Sequence, residues 1–290
     1  MADSLIDLIK VLRDRTGAGL MDCKGALLAN DCDLDKASDW LREKGLAKAA
    51  KKADRIAAAG LALAVACPKC GKTVVLEVNC ETDFVAKGDA FREFVENIAK
   101  EILKNEPASL EEAKNLTTEL FADATVKMGE KFDLRRFTIF QKGENVIGSY
   151  IHMGGKIAVA VLLDKADEEF SKQIAMHIAA NNPQYKTIED VPADVRNHEL
   201  EVQKEAAKND EKLANKPAPV LEKILEGKIN KYFAEMTLEA QPFLMDDSKT
   251  VGQILKEKNV KVLDYVRYQV GEGIEKRKDD FASEVMAQAK

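Results

Sequence analysis

Histidine is scarce in this chain of 290 residues, occurring at His152, His177 and His198. No Cys or Ser stands in a recognisable nucleophile elbow with a histidine, and no His-Glu-x-x-His occurs, so hydrolytic chemistry has nothing to rest on. Long apolar runs are missing too: none approaches the roughly 20 residues that a membrane-spanning helix needs. Basic charge is not in excess, with 44 Lys and Arg against 50 Asp and Glu and a net charge of -6. That balance leaves no footprint for general nucleic-acid binding, which needs a concentrated basic face. Five cysteines, an odd number in a long chain, argue against a disulfide framework. The start, Met1-Ala2-Asp3-Ser4-Leu5, has neither a basic region with an apolar core nor an Arg-rich transit pattern, which points to the cytoplasm. A phosphate-binding loop is absent as well. Gly71-Lys72-Thr73 looks like the end of one, but the glycine required five residues before Gly71 is Ala66, so the chain shows no nucleotide pocket of its own.

What is present is the composition of a globular protein, 46% hydrophobic and 32% charged. Residues 4 to 55 read as three short helices and the start of a fourth. Ser4 is placed to cap the first, with Asp7 three residues on, and Leu5, Leu8, Ile9 and Leu12 share one face. Gly17-Ala18-Gly19 breaks that helix. A second runs from about Leu20 to Ala29, and a third from about Leu34 to Lys44, ended by Gly45. The basic stretch that follows (Lys44, Lys48, Lys51, Lys52, Arg55) reads either as a solvated helical connector or as an arm for an acidic partner.

From Gly60 the periodicity becomes that of strands. Leu61 to Ala66 and Thr73 to Asn79 flank a tight turn at Cys67 to Lys72. A helix follows, with Phe91, Phe94, Val95, Ile98 and Ile102 on one face. A second strand-rich run spans about Phe137 to Leu163, and another helix about Glu168 to Ala180, with His177 packed or solvated on it. The two stretches form an internal repeat. Lys72 to Val78 matches Lys156 to Leu162, and Phe94, Ile98, Ala99 and Ile102 match Phe170, Ile174, Ala175 and Ile178. The strand-to-helix connection is longer in the first copy: 22 positions from Lys72 to Phe94 against 14 from Lys156 to Phe170, a difference of 8. The extra residues fall around Cys80 to Lys87. An insertion that the sister copy lacks is not needed for the shared core and is a place to look for function.

Residues from about Asp194 to Met236 read as a charged helical hairpin with Lys216-Pro217-Ala218-Pro219 as its turn. Its apolar positions are Val195, Val202 and Ala206 in the first arm and Leu221, Ile224, Leu225, Ile229, Tyr232 and Phe233 in the second. A helix and a strand (Val251 to Lys256, Val262 to Val270) lead into a C-terminal helix from about Ile274. Cys67-Pro68-Lys69-Cys70-Gly71 has the sequence of a zinc knuckle, in which two thiolates grip a metal from a tight turn. One pair supplies two ligands of the four required. It reads as a plain turn with free thiols, as part of a site within the chain with Cys80 near, or as half of a site shared between two copies.

Asn79-Cys80-Glu81-Thr82-Asp83-Phe84-Val85-Ala86 resembles the signature of the elongation factor Ts family of bacterial translation. Leu12 to Lys24, Ala47 to Lys52, Gly148 to His152, Lys249 to Gln253 and Gln269 to Lys276 resemble it too, in order from end to end. The departures are the two-cysteine turn and Gly25, where a lysine is common in the family. The resemblance implies an α+β protein. Its expected parts are an N-terminal bundle like a ubiquitin-associated domain (1–56), a core of two related subdomains with antiparallel sheets (57–143; 144–193 with 237–273), a coiled-coil hairpin (194–236) and a C-terminal module (274–290). It implies a non-enzymatic function, guanine-nucleotide exchange on the GTPase elongation factor Tu, with no cofactor of its own, no nucleic acid and no membrane; a homodimer or a two-to-two complex is compatible with it. Residue by residue, it implies that Thr82, Asp83, Phe84 and Val85 dislodge Mg²⁺ from the partner. Arg13, Leu20, Met21 and Lys24 would dock on its nucleotide-binding domain, with Lys52 in support and Met128, Gly129 and His152 as further contacts. Against Phe84 as a wedge that fills an apolar pocket of the partner stands the reading in which Asp83 caps a helix and Phe84 tucks into the core. Other classes are a peptide-binding adaptor using the N-terminal bundle and a zinc-linked structural dimer.

Overall fold

A computed structural model describes residues 4–210 and 217–274. The expected C-terminal helix from Ile274 and the Lys216 side of the hairpin turn lie outside the described residues. The chain is α+β, with helices and antiparallel sheets. It divides into two compact units. One consists of the described residues of Met1–Ile139, Ile151–Ala158 and Tyr268–Lys290; the other consists of Phe140–Tyr150 and the described residues of Val159–Arg267.

The first unit opens with α1 (Leu5–Thr16), α2 (Leu20–Ala29) and α3 (Leu34–Lys51). Ser4 accepts a hydrogen bond from the Asp7 N–H and donates to the Asp7 carboxylate, so two otherwise idle groups at the helix start satisfy each other. Ile9, Leu12, Cys23, Ala26, Leu27, Ala37 and Leu41 bury a small core. Helix α3 does not stop at Gly45. It continues to Lys51 because Gly45 is where it packs on α7 (Thr118–Met128). A Cβ at Gly45 would lie 2.7 Å from Ala122 O and 2.7 Å from Val126 Cγ2. The glycine permits close approach and does not break the helix. Helix propensity alone favours Gly45→Ala by about 1 kcal/mol, whereas forcing a methyl into a full contact costs about 1–3 kcal/mol. The second effect wins, and the variant is expected to be less stable on chemical denaturation. A more stable variant would mean that the α3–α7 contact yields freely.

Strands β1 (Ala59–Cys67) and β2 (Lys72–Cys80) pair antiparallel, from Ala59 opposite Cys80 to Cys67 opposite Lys72. They form a sheet in the order β1-β2-β3, with β3 spanning Phe132–Gln141. Between β2 and α5 (Asp89–Asn105) sits a single extra helical turn, α4 (Asp83–Ala86). Phe91, Phe94, Val95, Ile98 and Ile102 of α5 are buried against the sheet, with α6 (Leu110–Leu116) following before α7. The first unit also holds a fully buried carboxylate, Glu77 of β2. It accepts from Arg135 (3.0 Å), Arg136 (2.7 Å), the Asn79 amide (3.2 Å) and the Gly271 N–H (2.8 Å).

The second unit carries most of a sheet in the order β4-β5-β8, from Val146–His152, Ile157–Leu163 and Val262–Gln269. As β2 does in its sheet, β5 takes the centre, and α8 (Glu168–Asn181) follows it with Phe170, Ile174, Ala175 and Ile178 buried. The repeat is therefore structural, and α4 is the turn that the second copy lacks. His177 is buried. The Leu244 N–H donates to its Nδ1, which leaves Nε2 to donate to Gln241 Oε1 at 2.9 Å. Burial pushes the imidazole below its ordinary value, towards the neutral form that this hydrogen bonding requires. Helices α9 (Ala193–Lys208) and α10 (Ala218–Met236) pack together. In the first arm the buried residue is Ala207; Val195, Val202 and Ala206 are exposed, one position out of phase with the expected face. In the second arm Leu225 and Phe233 are buried. The unit ends with a short β6/β7 hairpin (Pro242–Phe243, Asp246–Thr250) and α11 (Val251–Lys258), whose Thr250 and Gln253 form a reciprocal cap.

Candidate partner-binding surface

Strand β2 is buried over nearly its whole length and stops at Cys80. The backbone then turns outward, and Thr82 caps α4 with its hydroxyl accepting from the Val85 N–H. Asp83 and Phe84 are the first two residues of that turn. Phe84 is 84% exposed, the most exposed of the large hydrophobic side chains among the described residues. A phenyl ring left in water forgoes roughly 1.5–3 kcal/mol of burial. Asp83 forms an i, i+4 ion pair with Lys87 at 2.6 Å, and that hydrogen bond holds its carboxyl below the ordinary range. Val85 is half-buried and packs on the first unit's core, while Ala86 is buried, so the turn has an inner anchor and an outer face.

The turn is fastened by residues distant in sequence. Glu130 accepts from the N–H groups of Glu81 (3.0 Å) and Thr82 (3.1 Å) and from the Thr82 hydroxyl (2.6 Å). Glu81 in turn accepts from the Lys131 N–H (2.7 Å) and pairs with Arg55. Lys131 donates to the carbonyls of Ala53 and Arg55, and Lys52 to that of Gly129. Residues 52–55, 81–82 and 129–131 are thus one hydrogen-bonded frame, and α4 stands on it. Of the basic stretch, Lys44 lies over Trp40, Lys48 pairs with Asp22, and Lys52 and Arg55 serve the frame. Below α4, the Cys80 thiol is pushed up to about 12 by burial, which keeps it a neutral packing group.

Sequence-predicted residues fall into two groups on this unit, with His152 apart from both. Thr82, Asp83, Phe84, Val85, Lys52, Met128 and Gly129 come together around the frame, with Gly129 exposed as the cap of α7 and Met128 half-buried against the core. His152 is exposed at the end of β4. The turn after it is tied to α5 by a hydrogen bond from Arg92 to Gly154 O at 3.0 Å. Arg13, Leu20, Met21 and Lys24 make the second group. All are exposed on the bundle, where Leu20 (54%) and Met21 (72%) form an apolar face that continues through Leu28. Among the described residues no hydrogen bond or ion pair joins Arg13 or Lys24 to the Thr82–Val85 turn.

Three features escaped sequence reading. Glu130 and Lys131 hold the turn across some 50 positions, and nothing local in the sequence marks them. Met153, beside His152, is 72% exposed in a left-handed conformation that places an apolar side chain outward. Glu130→Ala removes the carboxylate that accepts all three of these hydrogen bonds from the turn. Amide exchange at Glu81 and Thr82 is then expected to quicken about tenfold or more, as loss of roughly 1–2 kcal/mol of local hydrogen bonding implies. Unchanged protection there would show that the frame does not hold the turn.

Cys67 and Cys70 are free thiols at the tip of the β1/β2 hairpin, half-buried and exposed respectively. Hydrogen bonding from Cys70, first by its side chain and then by its N–H, lowers the Cys67 thiol from its ordinary value. The expectation that Cys80 lies near this pair is corrected by the register. Cys67 faces Lys72 and Cys80 faces Ala59, so Cys80 is at the far end of the hairpin, about 26 Å along β2 at roughly 3.3 Å per residue. Among the described residues no group of three or more His, Cys, Asp or Glu could hold a metal ion.

Fold and surface define an α+β chain whose most conspicuous feature is an acidic–aromatic turn held outward on a hydrogen-bonded frame. The family model described as Elongation factor TS matches residues 81–272, beginning at the frame residue Glu81. The chain is 46% identical over 292 aligned residues to Elongation factor Ts of Pediococcus pentosaceus (strain ATCC 25745 / CCUG 21536 / LMG 10740 / 183-1w), covering 98% of each chain. This chain belongs to the elongation factor Ts family, whose members are translation elongation factors. Among the described residues no helix is long and apolar enough to cross a membrane.

Proposed function

We propose that the chain is a guanine-nucleotide exchange factor for elongation factor Tu, acting in the cytoplasm by binding and not as an enzyme. The observation that carries this reading is Phe84, which the fold holds almost fully exposed on a braced turn. Such a ring gains free energy only by entering a partner's apolar pocket. There it acts as a wedge between the partner's helices, with Thr82, Asp83 and Val85 beside it. Bound GDP depends on Mg²⁺ and on backbone donors around its phosphates. Moving the elements that hold Mg²⁺ by about an ångström removes that support. Arg13, Leu20, Met21 and Lys24 provide a docking face on the nucleotide-binding domain. Lys52, Met128, Gly129 and His152 extend the contact.

Exchange then follows from coupling alone. The factor binds nucleotide-free GTPase more tightly than the GDP form, and by linkage nucleotide weakens the factor to the same degree. A factor that bound both forms equally would release nothing. Arriving GTP therefore expels the factor, which makes its role cyclic. The test is release of fluorescent GDP from elongation factor Tu on addition of this chain. A steep rise in release rate is expected; an unchanged rate is the result of an adaptor and would overturn the reading.

A further inference from the structure

The Cys67–Cys70 turn plays no part in the exchange surface, and it is built as a metal knuckle. The Cys70 N–H donates to Cys67 Sγ at 3.3 Å, and the Gly71 N–H donates to Cys67 O at 3.0 Å, closing the turn. Gly71 has φ +64°, a conformation that side-chain-bearing residues seldom adopt. The turn is anchored at its base by the Cys67–Lys72 register and by an ion pair from Lys72 to Glu106, the cap of α5. Two sulfurs are therefore held ready on a short, fixed loop at a hairpin tip, with Pro68, Lys69 and Cys70 exposed.

We propose that this turn is half of a zinc site that is completed by the same turn of a second copy of the chain. A structural zinc takes four ligands in a tetrahedron, commonly four thiolates. One chain brings two, and among the described residues no third ligand stands with them. Cys80 lies at the other end of the hairpin, and Cys23 is buried in the bundle core. A two-fold pairing supplies an identical pair from a surface that is its own complement. Charge favours that occupant: four thiolates around Zn²⁺ leave a double negative charge, and each turn brings one Lys69 to offset it. Each thiol loses its proton to solvent as its sulfur binds, so no oxidant or reductant is needed.

The test uses the full chain, kept reduced, with Zn²⁺ alone as the probe. Elemental analysis is expected to give one zinc per two chains, and light scattering a zinc-dependent dimer that a chelator returns to monomer. Co²⁺ in place of zinc is expected to give the intense visible bands of a tetrahedral tetrathiolate. Cys67→Ser with Cys70→Ser should keep the native circular dichroism and lose metal, dimer and bands together, whereas Cys32→Ser should lose none. The proposal is overturned if the reduced chain binds no zinc, if zinc binds one per monomer, if the double serine variant still dimerises with zinc, or if the pair only closes into a disulfide within one chain. The GDP-release assay is a separate measurement, so failure of either reading leaves the other standing.

Discussion

Asp83→Ala with Phe84→Ala is expected to remove most of the acceleration of GDP release while leaving the fold intact. Phe84 is 84% exposed and Asp83 makes a solvent-facing pair with Lys87, so truncating them deletes little that stabilises the chain itself. Exposed substitutions of this kind usually change stability by no more than about 0.5 kcal/mol. An aromatic anchor buried in a partner's pocket, by contrast, commonly contributes about 2–4 kcal/mol. At 1.4 kcal/mol per factor of ten, the lower figure already corresponds to about a 30-fold loss. The measurement is the rate of fluorescent GDP release at fixed factor concentration, with circular dichroism and denaturant titration to check the fold. Phe84→Ala alone should carry the larger share, because Lys87 already engages the Asp83 carboxylate in the free chain. Full activity in a folded double variant would sink the wedge.

Glu77→Ala is the substitution expected to cost the most stability. The Glu77 carboxylate is fully buried and accepts from Arg135, Arg136, Asn79 and the Gly271 N–H. Arg136 also pairs with Glu272 at 3.1 Å and stacks over Tyr268, while Tyr268 shares a hydrogen bond with Thr138 at 2.7 Å. One carboxylate therefore holds β2, β3 and residues 268–272 of the first unit together. A surface ion pair would be worth little. Removing one member of a buried pair leaves uncompensated charge behind and costs about 3–5 kcal/mol. Denaturant titration should show that loss, and amide exchange at Gly271 should accelerate. Glu77→Gln should also destabilise, since its amide turns an N–H group towards a cluster that is otherwise all donors. An alanine variant within about 1 kcal/mol of the native chain would mean that solvent enters and satisfies the arginines.

Much of this was legible beforehand because local patterns carried it. The spacing of Phe91, Phe94, Val95, Ile98 and Ile102 marks the buried face of α5, and all five are buried. Ser4 and Gly17 bound α1 as their cap chemistry implies. The longer connection in the first repeat copy pointed to residues 80–87, where α4 stands. What misled were residues whose role depends on another element. Gly45 looks like a stop signal in isolation and is a contact glycine once α7 lies against it. Ala206 and Ala207 cannot be ranked by sequence, because one position of helical phase decides which faces the second arm.

The sequence by itself determined the capped helix α1, the buried face of α5, the paired repeat, the family and the turn that carries Asp83 and Phe84, since each is written in residues close together along the chain. Only the tertiary structure decided that Phe84 faces solvent and that Glu130, Lys131, Lys52 and Arg55 brace its turn. It alone decided that Glu77 gathers two arginines and Gly271 in the interior, and that Cys80 lies far from Cys67. These facts depend on which distant segments meet, and a sequence read in local windows contains no term for that.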